Sequence, residues 1–106
     1  RNVREALTEN GTMSAQTESP AWSLSEVAGI VSNIRQGFGN AHVYTSPSPC
    51  YPSGMWSFAL GIKSDKDPAA DFDITRAEII SRQCRYYNAG IHRAAFSLPN
   101  FMREAL

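Results

Sequence analysis

Cysteine and histidine are scarce in this chain, two of each in 106 residues, and neither sign of charge dominates, ten Lys plus Arg standing against ten Asp plus Glu. Each shortage removes a class of function. Cys50 and Cys84 lie far apart and form no ligand spacing with each other or with His42 and His92, so neither a disulfide framework nor a structural zinc site is encoded. Free thiols in a reducing compartment are expected. A formal net charge of zero, with no run of like charges, leaves no electrostatic footprint for a nucleic-acid backbone or an anionic membrane. No apolar stretch approaches the ~20 residues of a membrane-spanning helix, and nothing at the start reads as a basic-then-apolar leader. A soluble, cytoplasmic protein is expected, of one domain or part of one.

What is present is a clear alternation of periodicities. Arg1 to Glu9 reads as the end of a helix, with Val3, Ala6 and Leu7 on one face and Asn10-Gly11 as its stop. Because the sequence starts inside this pattern and without Met, it is expected to be a portion of a longer protein. Gly11 to Gln16 reads as a short buried strand. Leu24, Val27, Ala28, Val31 and Ile34 then recur at the 3.6-residue period of a helix, with Ser23 and Glu26 as a capping box and Gly37 as its end. His42 to Thr45 predicts a strand, Ser46 to Gly54 a proline-stiffened loop, and Met55 to Lys63 a second strand. In that strand Trp56, Phe58, Leu60 and Ile62 face one way and Met55, Ser57, Ala59 and Gly61 the other. Thr75 with Glu78 predicts another capping box before Ile79 and Ile80, and Pro99 suits the first turn of a last short helix.

Strands alternating with helices imply an α/β sheet. The link between the last two strands, about nine residues, is too short for a crossover helix, so that pair is expected to be antiparallel. In such sheets ligands sit beyond the carboxyl ends of the strands, which directs attention to Gln16 to Trp22 and to Ser46 to Gly54. The first segment, Gln16-Thr17-Glu18-Ser19-Pro20, offers an amide and a carboxylate suited to a cationic amine, or merely the start of a loop. The second, Cys50-Tyr51-Pro52-Ser53-Gly54-Met55-Trp56, holds either a phenol and an indole on a rigid rim or a tight turn with core aromatics. Cys50 has no neighbouring His or Lys to activate it as a nucleophile. His92, near Tyr86 and Tyr87, is expected to be a hydrogen-bonded structural residue. Gly37-Phe38-Gly39 follows a helix rather than a strand, the wrong context for a dinucleotide fingerprint.

Taken together, Ala15-Gln16-Thr17-Glu18-Ser19-Pro20, the Tyr51-Pro52-Ser53-Gly54-Met55-Trp56-Ser57-Phe58 segment and the ending from Tyr86-Tyr87-Asn88 through His92-Arg93-Ala94-Ala95-Phe96-Ser97-Leu98-Pro99 resemble the spermidine synthases of the aminopropyltransferase family. The resemblance runs in order from Arg1 to Leu106. It implies a Rossmann-like, class I methyltransferase-type sheet, of which this chain is the C-terminal part with an antiparallel last strand pair. It also implies transfer of the aminopropyl group of decarboxylated S-adenosylmethionine to putrescine, giving spermidine and 5′-methylthioadenosine, with no metal or other cofactor. Related acceptors, agmatine or spermidine, a putrescine methyltransferase, and a noncatalytic polyamine-binding fragment remain alternatives.

Carried over by resemblance, Tyr51 matches the tyrosine that hydrogen-bonds the attacking amine and Gln16 a glutamine that contacts the diamine. Glu18 is placed to assist with a distant ammonium, and Pro52 and Trp56 to wall the methylene chain. The His92 to Pro99 segment is assigned to packing of the C-terminal helices. The family's glycine-rich donor loop, ribose-binding acid, main catalytic acid/base and N-terminal β domain have no counterpart between Arg1 and Leu106. The resemblance therefore implies that residues 1–106 work with the remainder of the same protein, in a homo-oligomer (dimer or tetramer). Alone, such a piece is expected to be unstable or aggregating, because an unpaired strand edge and an apolar face are exposed.

Overall fold

The alternating stretch Met55–Ile62 forms the middle strand of a three-stranded sheet in the computed structural model, which describes residues 2–106. The elements run α1 (Asn2–Ala6), β1 (Thr12–Glu18), α2 (Leu24–Phe38), β2 (His42–Pro47), β3 (Met55–Ile62), α3 (Ile74–Ser81), α4 (Ala89–Ala95) and α5 (Asn100–Ala105). The strand order is β1-β3-β2, and β3 is antiparallel to both neighbours. β2 and β3 are thus the antiparallel pair expected from their short link. β1 and β2 run parallel to each other, so their carboxyl ends and the start of β3 share one edge of the sheet.

The two faces of β3 explain how the layers stack. Its small face meets α2, whose Val27, Val31, Ile34 and Phe38 form a buried stripe against Ala59 and Val43, with Met102 closing the cluster. Small residues are required there: a Cβ built on Gly61 would stand 2.7 Å from two ring carbons of Phe38. Burying each large side chain of this stripe contributes about 1.5–3 kcal/mol. On the bulky face Tyr44 stacks on Phe58 with centroids 5.1 Å apart and meets Phe96 of the C-terminal segment at 5.5 Å. The Tyr44 phenol reaches across β3 to Ser14 Oγ at 2.8 Å.

Several local expectations are corrected. β1 is longer than Gly11 to Gln16 and, among the described residues, is an edge strand whose positions alternate between exposed and half-buried up to the buried Thr17, not a buried strand throughout. α2 ends at Gly39 (φ 86), whose N–H bonds the Arg35 carbonyl, not at Gly37. One further turn carries Phe38 onto the buried stripe, and the left-handed cap that ends it suits glycine. The capping box at Ser23 does not form: the Ser23 amide donates to the Ser19 carbonyl at 2.9 Å, and Ser25 Oγ donates to the Glu26 carboxylate at 2.8 Å. That bond from Ser25 holds the Glu26 carboxyl below its ordinary value. α3 starts at Asp73, whose carboxylate accepts from the Arg76 amide, and not at Thr75. The apolar pair Ile79 and Ile80 is exposed, and Ala77 is the buried residue of α3. Pro99 stands just before α5 rather than inside its first turn.

Polar groups pin the far end of the sheet. The Asn40 side chain extends the ladder by accepting from the Ile62 amide at 3.0 Å and donating to the Ile62 carbonyl at 2.7 Å. Lys63 Nζ donates to the Leu7 carbonyl at 2.8 Å just past α1, a cation where the helix end leaves carbonyls free. Among the described residues no helix is long and apolar enough to cross a membrane.

Candidate functional site

The edge where β1 and β2 finish and β3 begins carries Gln16, Glu18, Tyr51, Pro52 and Trp56, the candidate substrate-binding residues. Seven residues link β2 to β3, and they are ordered by their own hydrogen bonds. The Ser48 amide donates to the Gly54 carbonyl at 2.8 Å, the Tyr51 amide to the Ser48 carbonyl at 3.0 Å, and the Gly54 amide to the Tyr51 carbonyl at 3.0 Å. Ser53 Oγ adds a bond to the Met55 carbonyl at 2.8 Å. This closed loop turns Tyr51 back onto Trp56, the two rings stacking with centroids 4.1 Å apart and planes 29° apart. Pro52 is exposed on the same turn. Tyr51 is 38% exposed while Trp56 is 9% exposed: the phenol faces solvent over a buried indole.

Gln16 pairs directly with Phe58 across β1 and β3. Directly opposed residues share a face, and Trp56 is two residues from Phe58 on the same strand, so Gln16 and Trp56 are diagonal neighbours on the bulky face. Beyond Gln16 the register breaks. A β-bulge sets Glu18 opposite Ser57, and Glu18 adopts φ 94. It is the one non-glycine residue at positive φ among those described, a conformation that costs on the order of 1 kcal/mol or more. Such strain collects at functional sites, and bulges re-aim side chains beside them.

Beneath the bulge lies a buried hydroxyl pair. Ser57 Oγ donates to the Glu18 carbonyl at 2.7 Å and stands 2.8 Å from Thr17 Oγ1. Ser57 has a single hydroxyl proton, so Thr17 is the donor to Ser57. Both side chains are fully buried, 0% exposed. Two further polar atoms are buried here without a hydrogen-bond partner, Ser19 Oγ and Trp56 Nε1. The site thus combines an exposed phenol, an apolar aromatic floor, a carboxamide and a strained carboxylate-bearing bulge, groups suited to an organic cation with an apolar body. Among the described residues no group of three or more His, Cys, Asp or Glu converges as metal ligands would.

Sequence reasoning overlooked a neighbouring groove of about 750 Å³ between the β2–β3 loop and α4, lined among others by Tyr44, Pro47, Met55, Tyr86, Tyr87 and Phe96. Tyr44 signalled its part only by being aromatic in a strand. His92 does not open onto free chemistry. Its Nε2 lies 2.8 Å from the Pro68 carbonyl, which can only accept, so Nε2 carries the proton and Nδ1 accepts from the Tyr87 phenol at 2.9 Å. Phe72 stacks on the imidazole at 4.0 Å, and Arg93 lies over Phe72 at 5.2 Å. Cys50 and Cys84 are both free and exposed.

Comparison with known proteins matches residues 1–73 to the spermine/spermidine synthase domain. The polyamine aminopropyltransferase of Moorella thermoacetica is 41% identical over 106 residues, covering 100% of this chain and 36% of that protein. That of Shouchella clausii is 38% identical over 104 residues, covering 98% of this chain and 36% of its own length. The crystal structure of spermidine synthase from Thermotoga maritima superposes with a TM-score of 0.89 at 36% identity, over 98% of this chain and 36% of that one. A spermidine synthase in complex with the transition-state analogue AdoDATO gives a TM-score of 0.88 at 36% identity, over 97% of this chain and 36% of that one. The chain therefore spans about a third of the length of the relatives it matches, and its small α/β sheet is of the methyltransferase-like kind expected from the sequence.

Proposed function

The chain belongs to the spermine/spermidine synthase family, and from that premise we propose that it supplies the amine-acceptor side of a spermidine synthase. In this reading residues 1–106 are the C-terminal part of the catalytic domain, and the donor-binding elements and N-terminal β domain belong to the remainder of the protein. The complete enzyme, a dimer or tetramer in the cytoplasm, moves an aminopropyl group from decarboxylated S-adenosylmethionine to putrescine. The observation that carries the proposal is the Tyr51–Trp56 stack at the carboxyl edge of the sheet, with Gln16 on the same face.

The chemistry asks little of the protein beyond alignment and a proton. The neutral amine nitrogen of putrescine attacks the aminopropyl methylene bonded to the sulfonium. The C–N bond forms as the C–S bond breaks, both electrons of the latter going to sulfur, and neutral 5′-methylthioadenosine departs. The new ammonium then loses a proton. An alkylamine titrates near pH 10, as lysine does at about 10.4, so an amine at neutral pH must be deprotonated before it can attack. Holding the nitrogen with its lone pair aimed at the reacting carbon supplies much of the acceleration. The exposed Tyr51 phenol can hydrogen-bond that nitrogen, and the Gln16 carboxamide can fix the diamine directly or through water. The Trp56 and Pro52 surfaces favour the four-carbon chain over water, while Glu18 suits the ammonium that does not react.

The test is Tyr51→Phe in the full-length enzyme carrying this sequence. Its kcat is expected to fall by about tenfold or more, with a smaller change in putrescine binding. Turnover equal to wild type would remove Tyr51 from the mechanism. Mass-spectrometric identification of products with putrescine, agmatine and spermidine each offered at equal concentration decides the acceptor. Spermidine is expected as the main product, and preferential formation of spermine or aminopropylagmatine would reassign it.

A further inference from the structure

The Thr17 and Ser57 side chains are fully buried and yet join, through the Glu18 carbonyl, the two strands that carry the candidate site. We propose that Thr17 and Ser57 are positioning residues for the acceptor amine: their hydroxyl relay holds the β-bulge at Glu18 and so fixes where Gln16 stands relative to Trp56 and Tyr51. The inference rests on the acceptor-site reading of Gln16, Tyr51 and Trp56 given above.

Three observations and one general principle support it. The relay has one direction, Thr17 hydroxyl to Ser57 oxygen and Ser57 hydroxyl to the Glu18 carbonyl, so removing either proton leaves a buried oxygen short of a partner. The carbonyl it serves belongs to the strained residue, whose positive φ takes it out of the regular strand pairing. Ser57 adjoins Trp56, and Thr17 adjoins Gln16. Strand neighbours point to opposite faces, so the relay lies on the α2 side while the two site residues lie on the other. Finally, side chains with no contact to a ligand can still set its position when they hold the backbone from which the contacting groups project. Losing the relay would let the end of β1 relax toward regular pairing and shift the backbone from which Gln16 projects at the lip of the bulge, since bulges re-aim the side chains beside them.

The experiment compares Thr17→Val, nearly the same shape without the hydroxyl, Thr17→Ser, which restores it, and Ser57→Ala, all in the full-length enzyme. Steady-state kinetics are measured with putrescine and donor varied separately, alongside the melting temperature of each variant. Thr17→Val and Ser57→Ala are expected to raise the KM for putrescine about tenfold, leave the donor KM within about twofold, and lose less in kcat than in KM. Thr17→Ser is expected to return the putrescine KM to within about twofold of wild type. An unchanged putrescine KM in a folded Thr17→Val enzyme overturns the proposal. So does a loss shared equally by both substrates that follows the melting temperature, or failure of both deletion variants to fold, since the relay would then serve stability alone. Tyr51→Phe is measured in parallel. If it lowers kcat while Thr17→Val is silent, the positioning role fails and the acceptor-site reading stands. If Tyr51→Phe is itself silent, the reading falls first.

Discussion

The phenol of Tyr51 lies on the indole of Trp56 with ring centroids 4.1 Å apart, and the indole N–H beneath it has no hydrogen-bond partner. In the proposed acceptor site the tryptophan would therefore act through surface and shape. Its ring supports the tyrosine and extends an apolar floor toward Gln16 on the neighbouring strand.

Trp56→Ala in the full-length enzyme removes both the floor and the seat of Tyr51. The KM for putrescine is expected to rise about tenfold or more, with a fall in kcat because the phenol loses its fixed position. Trp56→Phe keeps a ring under Tyr51 and is expected to lose less of each. Separate titrations of the two substrates check this. A change confined to the donor's KM would assign Trp56 to a different subsite.

These residues differ in how openly the sequence announced them. The alternation over 55–62 placed Trp56 and Phe58 on one face of β3, and the prolines and glycine around Tyr51 marked a rigid turn, because period and turn chemistry are local properties. Burial of β1 was not local: its apolar side chains, Met13 and Ala15, are only half-buried, and among the described residues the strand lies at the sheet edge. The Ser23–Glu26 and Thr75–Glu78 spacings satisfy the capping-box pattern, yet the Ser23 amide was already taken by Ser19 and Asp73 capped α3 two residues earlier. Nothing in the sequence marks the bulge, since positive φ ordinarily falls to Gly, Asn or Asp and here falls to a glutamate held by hydroxyls 39 and 40 residues away from their partners. The groove beside Tyr44 is likewise made by segments far apart in the chain.

Two glycine-to-alanine changes are expected to have opposite signs in the full-length protein. At Gly61 the added methyl would stand 2.7 Å from the Phe38 ring and 3.1 Å from Ile34 Cγ2, inside the packed layer between β3 and α2. Overpacking of this kind destabilises by about 1–3 kcal/mol. At Gly29, in the exposed middle of α2, nothing lies within 4 Å of the new methyl, and alanine's better helix propensity should stabilise by about 0.5–1 kcal/mol. Chemical denaturation of the two variants beside wild type checks both signs. A neutral Gly61→Ala would mean that the helix and sheet are less tightly packed than the Phe38 contact requires.

The His92 clamp makes a prediction about order, not turnover. Its two ring nitrogens tie Tyr87 to the connector at Pro68, and Phe72 stacks against the ring. Tyr87→Phe removes one neutral hydrogen bond and is expected to cost about 1 kcal/mol. His92→Ala removes both bonds and the stacking surface and should cost about 2–3 kcal/mol. Hydrogen exchange should show faster opening of residues 63–73 in both variants, more so in His92→Ala. Exchange confined to residues 89–95 would show that the clamp serves α4 and not the connector.

The isolated 106-residue chain should behave poorly on its own. β1 pairs on one side only, which leaves a seven-residue edge of unpaired backbone groups open to other chains. Trp22 is 76% exposed and Ile79 54%, and Ile74, Ile80 and Tyr86 add further exposed apolar surface. Large exposed apolar surface accompanied by a free strand edge drives association. The chain alone is therefore expected to bind a hydrophobic dye such as ANS, to elute in light scattering as species larger than 11.7 kDa, and to melt without a cooperative transition. Expressed together with the remainder of the enzyme, the same residues should lose the dye signal and gain a single sharp transition. A monomeric chain that unfolds cooperatively by itself would show that the ten buried apolar residues centred on α2 and β3 suffice to hold the sheet.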